Sequence, residues 1–169
     1  VTPSGNEFPV TGSSNSCTAS HRKEIAMSIA MSQEEVAIRR LIERWVASIQ
    51  RGDLDGVLAG HDADIVMFDV PPPFAGVRGI DPYKSTWPPF FEWLAQGSAF
   101  ELESLEVTAG SDVAFAYALL RCGTAEDFAR NPDIRLRVTV GLRRHNSHWV
   151  VTHEHHSFPH TDGASVADS

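Results

Sequence analysis

From Ser32 onward, apolar residues recur at three- and four-residue spacing as Val36, Leu41, Ile42, Trp45, Val46 and Ile49, with Arg39, Arg40, Glu43 and Arg44 on the other side. This pattern predicts an amphipathic helix. The capping box Ser32-Gln-Glu-Glu35 predicts its start, and Arg51-Gly52-Asp53 its end. Asp53 or its neighbour then caps a short second helix through Leu54, Val57 and Leu58. His61-Asp-Ala-Asp64 reads as a turn into a strand, Ile65 to Val70, which Pro71, Pro72 and Pro73 terminate. A hairpin-like return through Phe74, Val77 and Gly79 leads to Asp81-Pro82, an N-cap followed by proline in the first turn. Pro88 and Pro89 predict that this third helix, between Tyr83 and Leu94, is short or broken.

From Phe100 the period changes to two. Strands are predicted at about 100–109, 112–122, 135–144 and 149–157, separated by Gly110-Ser111, by a polar loop from Thr124 to Asp133, and by His145-Asn-Ser147. Helices followed by an antiparallel meander give an α+β arrangement, with one strongly bent sheet folded around the first helices. The last strand, Trp149 to Ser157, carries the densest chemistry. Strict alternation puts Val150, Thr152, Glu154 and His156 on one face, and Trp149, Val151, His153 and His155 on the other. Ionisable groups at one strand end are costly to bury unless partnered, so a polar cavity or an interface must receive some of them.

Composition narrows the class. The length of 169 residues fits one domain. Residues 1–31, rich in Ser, Thr, Gly, Asn and Pro, predict a flexible N-terminal arm; residues 32–160 form the domain, and 161–169 a C-terminal tail. A formal charge of −8 argues against nucleic acid, and no apolar run approaches a membrane span, so a neutral or cationic small molecule is the expected partner. Cys17 and Cys122 lie far apart and form no disulfide framework, which predicts reduced thiols and a cytoplasmic protein. There is no Gly-rich phosphate loop and no dinucleotide fingerprint, so no cofactor is implied.

Several strings, in order, carry a resemblance: R-G-D-L-D-G-V after the first helix, D-A-D-I-V-M-F-D in the first strand, V-R-G-I-D before the third helix, and L-R-R-H-N-S-H-W-V-V-T-H-E-H-H-S at the end. Over residues 32–160 the chain resembles the nuclear transport factor two-like cone fold, whose members include ketosteroid isomerase, the SnoaL-like polyketide cyclases and the association domain of calcium/calmodulin-dependent kinase. The resemblance implies a cone-shaped α+β barrel, its curved and mostly antiparallel sheet wrapped around three N-terminal helices. It also implies that Asp69 stands where the isomerase keeps its general base. Trp45 and Val140 stand where that enzyme has the tyrosine and protonated aspartate of its oxyanion hole, and neither supplies the same donor. In the same register Trp87, Phe115, Tyr117, Leu119, Val138, Thr152, Glu154 and His156 would line the cavity, with Arg121 near its rim.

Each candidate has a plainer reading. Asp69 is either a turn cap at Pro71 or a base whose pKa burial raises. Glu154 and His156 are either a solvated strand end or an acid/base pair in which the carboxylate fixes the imidazole. Arg121 and Tyr117 either polarise a ligand oxygen or, for the arginine, pair with Glu154. His153 and His155 have a spacing that admits zinc, but two ligands are too few, so no metal is assigned and a polar layer at a dimer interface is preferred. The expected function is therefore a small-molecule enzyme of isomerase, cyclase or lyase type. Asp69 or His156 would be its base, Glu154 would orient the histidine, and Trp45, Trp87, Tyr117, Arg121, Val140 and Thr152 would contact a largely apolar carbonyl substrate. The alternatives are a non-catalytic ligand-binding or assembly domain, or a hydrolase or dehydratase using the same cavity. A homodimer is expected, joined through the outer sheet face.

Overall fold

A computed structural model describes residues 15–159, with side-chain surroundings from residue 33 onward. The elements run α1 (Asn15–Gln50), α2 (Leu54–Leu58), β1 (His61–Phe68), β2 (Val77–Arg78), α3 (Ile80–Ala95), β3 (Ala99–Ala109), β4 (Val113–Gly123), α4 (Ala125–Arg130), β5 (Leu136–His145) and β6 (His148–Ser157). The strands form one six-stranded sheet in the order β2-β1-β6-β5-β4-β3. Among the described residues only the β1–β6 pair is parallel. The sheet curls without closing and holds α1, α2 and α3 against one face, which is the expected α+β cone.

The helix expected to start at Ser32 begins instead at Asn15 and runs unbroken through it. Ile25, Ala26, Met27, Ile29, Ala30 and Met31 continue the helix-compatible run, so the capping box has no helix end to cap. Residues 15–31 are helical, while residues 1–14 and 160–169, the tail included, lie outside the described residues. Further along α1, Ile38, Ile42, Trp45 and Ile49 are almost fully buried, each contributing roughly 1.5–3 kcal/mol by leaving water. Arg39 lies on the flank and donates to the Leu105 carbonyl at 2.7 Å, tying α1 to β3.

The second correction concerns α3, which continues through Pro88 and Pro89 to Ala95. An interior proline costs about 3 kcal/mol in an isolated helix. Here Trp87, Phe90, Phe91, Trp93 and Phe100 meet in ring contacts at centroid distances of 5.2–6.2 Å, and this aromatic packing holds the helix against the sheet. The N-cap is Gly79, not Asp81, so the helix starts at Ile80. The segment expected to be all loop after β4 contains α4, closed by a capping box between Thr124 and Asp127.

Two register details position the site. Along β4, Ala114, Ala116, Ala118, Leu120 and Cys122 point into the core, while Phe115, Tyr117 and Leu119 are exposed on the outer face. This is the opposite parity to the one the resemblance implied. Along β6, Trp149 and Val151 are buried, and so are Glu154 and His156, which strict alternation forbids. The β5–β6 pairing slips between Gly141 and Leu142: Gly141 faces His153 and Leu142 faces Val151, leaving Thr152 as the extra residue. A bulge re-aims every side chain beyond it. Trp149 and Val151 therefore belong to the core and do not share an outer, interface-forming face with His153 and His155.

Candidate functional site

The bulge delivers Glu154 and His156 to the inner face at the end of the cone where β1 finishes. Parallel pairing sets Met67 beside Glu154 and Phe68 beside His155, so Asp69, the first residue after β1, arrives beside His156. Asp69 follows the strand rather than lying within it. Its Oδ1 accepts from the Val70 amide at 2.8 Å and from His156 Nδ1–H at 3.2 Å. Neither contact uses Oδ2. The Asp69 side chain keeps 28% exposure, whereas that of Glu154 keeps 1%. Gly76 keeps the return loop close to β1: its φ is +74°, and a Cβ there would meet the Met67 carbonyl at 2.4 Å.

Behind His156 the polar groups continue inward. Glu154 Oε2 lies 3.2 Å from His156 Nε2, though the approach is too oblique for a good hydrogen bond and acts as charge on charge. Glu154 Oε1 accepts from His61 Nε2–H at 2.7 Å and from the Tyr83 hydroxyl at 3.0 Å. Trp45 Nε1–H donates to that hydroxyl at 3.2 Å. Burial alone would keep Glu154 neutral, but the contacts with His156 and His61 outweigh it and bring its pKa down to about 2. For His156 burial acts against the charge, and the two carboxylates, Asp69 and Glu154, overcome it and raise its pKa to about 9. Burial, reinforced by Glu154, pushes the Tyr83 phenol well above its usual value, so it stays a donor.

Asp69 and His156 line a cavity of ≈ 820 Å³ whose walls are mainly apolar: Trp87, Phe90, Trp93, Phe100, Leu136 and Phe158, with Pro71, Pro72 and Pro73 along one side. No lysine or arginine lines it among the described residues. A separate hollow of ≈ 370 Å³, bordered by Ile49, Phe91 and Leu94, contains no member of the ionisable cluster.

Of the sequence-derived candidates, the fold gathers Asp69, Glu154, His156 and Trp87. Trp45 sits one layer behind the wall, edge-on to Trp87 at 6.0 Å. Val140 is core, paired with Glu154 across the β5–β6 ladder, and Thr152 sits at the bulge, donating to the Gly141 carbonyl at 3.2 Å. Tyr117 and Arg121 are away from the cavity. Tyr117 is half exposed on the outer face, and Arg121 pairs with Glu101 at 3.5 Å and stacks on Phe128, not with Glu154. Phe115 and Leu119 share the outer face with Tyr117, and Val138 is core. His153 donates from Nδ1 to the Val66 carbonyl at 2.9 Å, and no cluster of three metal-ligating side chains occurs among the described residues.

His61 and Tyr83 were missed. His61 shares the parity of the buried Ile65 and Met67, and Tyr83 lies one turn before Trp87, so both signals were present. Reading His61 as a turn and α3 as broken concealed them.

No curated protein matched the chain. Solved structures do. An NTF2-like protein of unknown function from Pseudomonas putida KT2440 is 34% identical with a TM-score of 0.64, over 78% of this chain and 90% of that one. A proposed ketosteroid isomerase from Shewanella frigidimarina NCIMB 400 is 17% identical with a TM-score of 0.55, over 70% and 92% of the two chains. A proposed aromatic ring hydroxylase from Novosphingobium aromaticivorans is 18% identical with a TM-score of 0.57, over 76% and 91%. At those last two identities the likeness is one of fold. The family model described as a SnoaL-like domain matches residues 38–161, and with the cone, its inward-facing acid/histidine cluster and this match together, the chain belongs to the SnoaL-like family.

Proposed function

We propose that the protein is a small-molecule enzyme that moves a proton on an uncharged, largely apolar carbonyl compound, with Asp69 as the base. The observation that carries this reading is the Asp69–His156 pair at the wall of the ≈ 820 Å³ apolar cavity. Asp69 Oδ2 is the carboxylate oxygen left free by both recorded hydrogen bonds. It takes the proton from the carbon next to the carbonyl and returns it to another position of the same molecule. His156 has Nδ1 turned to Asp69 and Nε2 turned to Glu154, so it acts through Asp69 and not directly on substrate. A substrate carboxylate or phosphate would find no lysine or arginine among the described wall residues, and the one cationic group there, His156, is already turned to Asp69 and Glu154, which is why the substrate is taken to be uncharged.

Deuterium exchange tests this without knowledge of the natural substrate. A panel of cyclic and aromatic ketones is incubated with the protein in D2O, and loss of the α-proton signal is followed by NMR. Catalysed exchange that Asp69→Asn removes is the expected result. Exchange unaffected by Asp69→Asn would overturn the role of Asp69, and no exchange above buffer with ketones that bind would favour the non-catalytic binding alternative.

The exposed outer stripe of β4, Val113, Phe115, Tyr117 and Leu119, favours one addition: this face is covered by a second copy in a homodimer. Light scattering at micromolar concentration reads this directly, and a monomer would remove it.

A further inference from the structure

The innermost part of the cluster contains two residues that never reach the cavity wall. The His61 side chain is 0% exposed, and its Nε2 lies 2.7 Å from Glu154 Oε1 and 3.1 Å from the Tyr83 hydroxyl. A short contact to a carboxylate requires Nε2 to carry the hydrogen. Among the described residues Nδ1 has no partner, so Nε2 is the nitrogen that ties the ring to the cluster. The Tyr83 hydroxyl has one hydrogen. It accepts from Trp45 Nε1–H, which leaves its own hydrogen for Glu154 Oε1. Two donors from β1 and α3 thus converge on one oxygen of Glu154, while the other oxygen faces His156.

We propose that His61 and Tyr83 are positioning residues: by donating to Oε1 they hold Glu154 ionised with Oε2 toward His156, which keeps the imidazole protonated and its Nδ1–H on Asp69 Oδ1. The consequence for catalysis rests on the reading of Asp69 as base, because this arrangement is what leaves Oδ2 for the substrate. The groups facing His156 account for its charge. The turn after β1 contributes Asp69, β6 contributes Glu154, α1 contributes the Trp45 ring at 6.2 Å, and β5 pairs Val138 with it. Cys122 of β4 borders the same cavity, and burial pushes its thiol up to about 12, so it adds no charge near neutrality. Removing either donor frees Oε1 and lets the Glu154 carboxylate turn away from His156, which then feels one of its two anions less strongly.

The experiment is an NMR titration of the imidazole nitrogens, with His61 and His156 assigned from His61→Gln and His156→Gln. In the parent protein at neutral pH, His61 is expected to carry hydrogen on Nε2 and His156 on both nitrogens. In Tyr83→Phe and His61→Leu the His156 midpoint is expected to fall by about one pH unit or more, and His61→Gln, which restores an N–H donor, should recover most of it. A merely structural role would lower the melting temperature in these variants without moving the midpoint. An unchanged midpoint in folded Tyr83→Phe overturns the proposal. So does a parent spectrum with His61 protonated on Nδ1 alone, or with His156 neutral at pH 7, which decides the matter even if both variants fail to fold. The titration uses no substrate, so a shifted midpoint in a protein without deuterium exchange would leave this network standing and sink the catalytic reading alone.

Discussion

The two halves of β6 bury side chains on the same face of one strand by opposite means. Trp149 and Val151 are held by apolar neighbours, with Val151 opposite Leu142 and the Trp149 indole capped by Glu34 at its one polar atom. Glu154 and His156, just past the bulge, are held by each other, by Asp69, by His61 and by Tyr83. The first half gains from leaving water. The second loses by leaving water and recovers the loss through geometry, so it is stable only while every partner is present. That contrast separates scaffold from site.

Breaking the polar half should have the largest effect. Glu154→Gln keeps the shape and removes the charge that His156 faces, and a loss of about 3–5 kcal/mol in urea denaturation at neutral pH is expected. A loss below about 1 kcal/mol would mean that the two halves do not differ as described. Asp69→Asn acts at the exposed end of the same cluster and should separate stability from chemistry. Folding should weaken by about 1 kcal/mol, while ketone deuterium exchange falls by about two to four orders of magnitude.

The pH dependence sharpens the comparison. Glu154 is lowered from 4.5 to about 2, so its contribution is present above 4.5 and is lost as pH falls toward 2. His156 is raised from 6.5 to about 9, so its contribution is present below 6.5 and is lost as pH rises toward 9. Stability should therefore be highest between about pH 4.5 and 6.5 and decline on both sides, as read from denaturation midpoints across pH. In Glu154→Gln the alkaline decline should flatten.

In the apolar half the response should be ordinary. Val151→Ala removes two buried methyl groups and should cost about 2 kcal/mol, independent of pH and without effect on exchange. The smallest effect belongs to the outer face, where Tyr117→Ser should change the folding free energy of a subunit by less than about 0.5 kcal/mol. If the homodimer forms there, the same substitution should raise its dissociation constant in sedimentation experiments.

Much of this was readable in the chain. The three- and four-residue period placed α1's buried stripe from Leu41 to Ile49, the turn signals placed β3 to β6 to within a residue or two, and the strings around Asp69 and β6 identified the family. The errors share a cause. Ser32 carries a capping pattern that a longer helix overrides, and Pro88 and Pro89 carry a break that aromatic packing overrides. In both, a local preference of a few kcal/mol met a larger tertiary one. The parity of β4 was a different failure: it was carried over from the register of the resemblance, whereas this strand alternates Ala with Phe, Tyr and Leu and buries the small side.

The sequence alone determined that the ionisable side chains gather at the ends of β1 and β6 and roughly where each element lies, since periodicity and turn chemistry are local properties of the chain. Tertiary structure alone decided which of those side chains meet. A one-residue bulge opposite Gly141 turns Glu154 and His156 inward, parallel pairing brings the end of β1 to them, and α3 adds Tyr83 from the far side. A face assignment has period two, so a single extra residue reverses it, and no pattern within β6 announces which residue the neighbouring strand will skip.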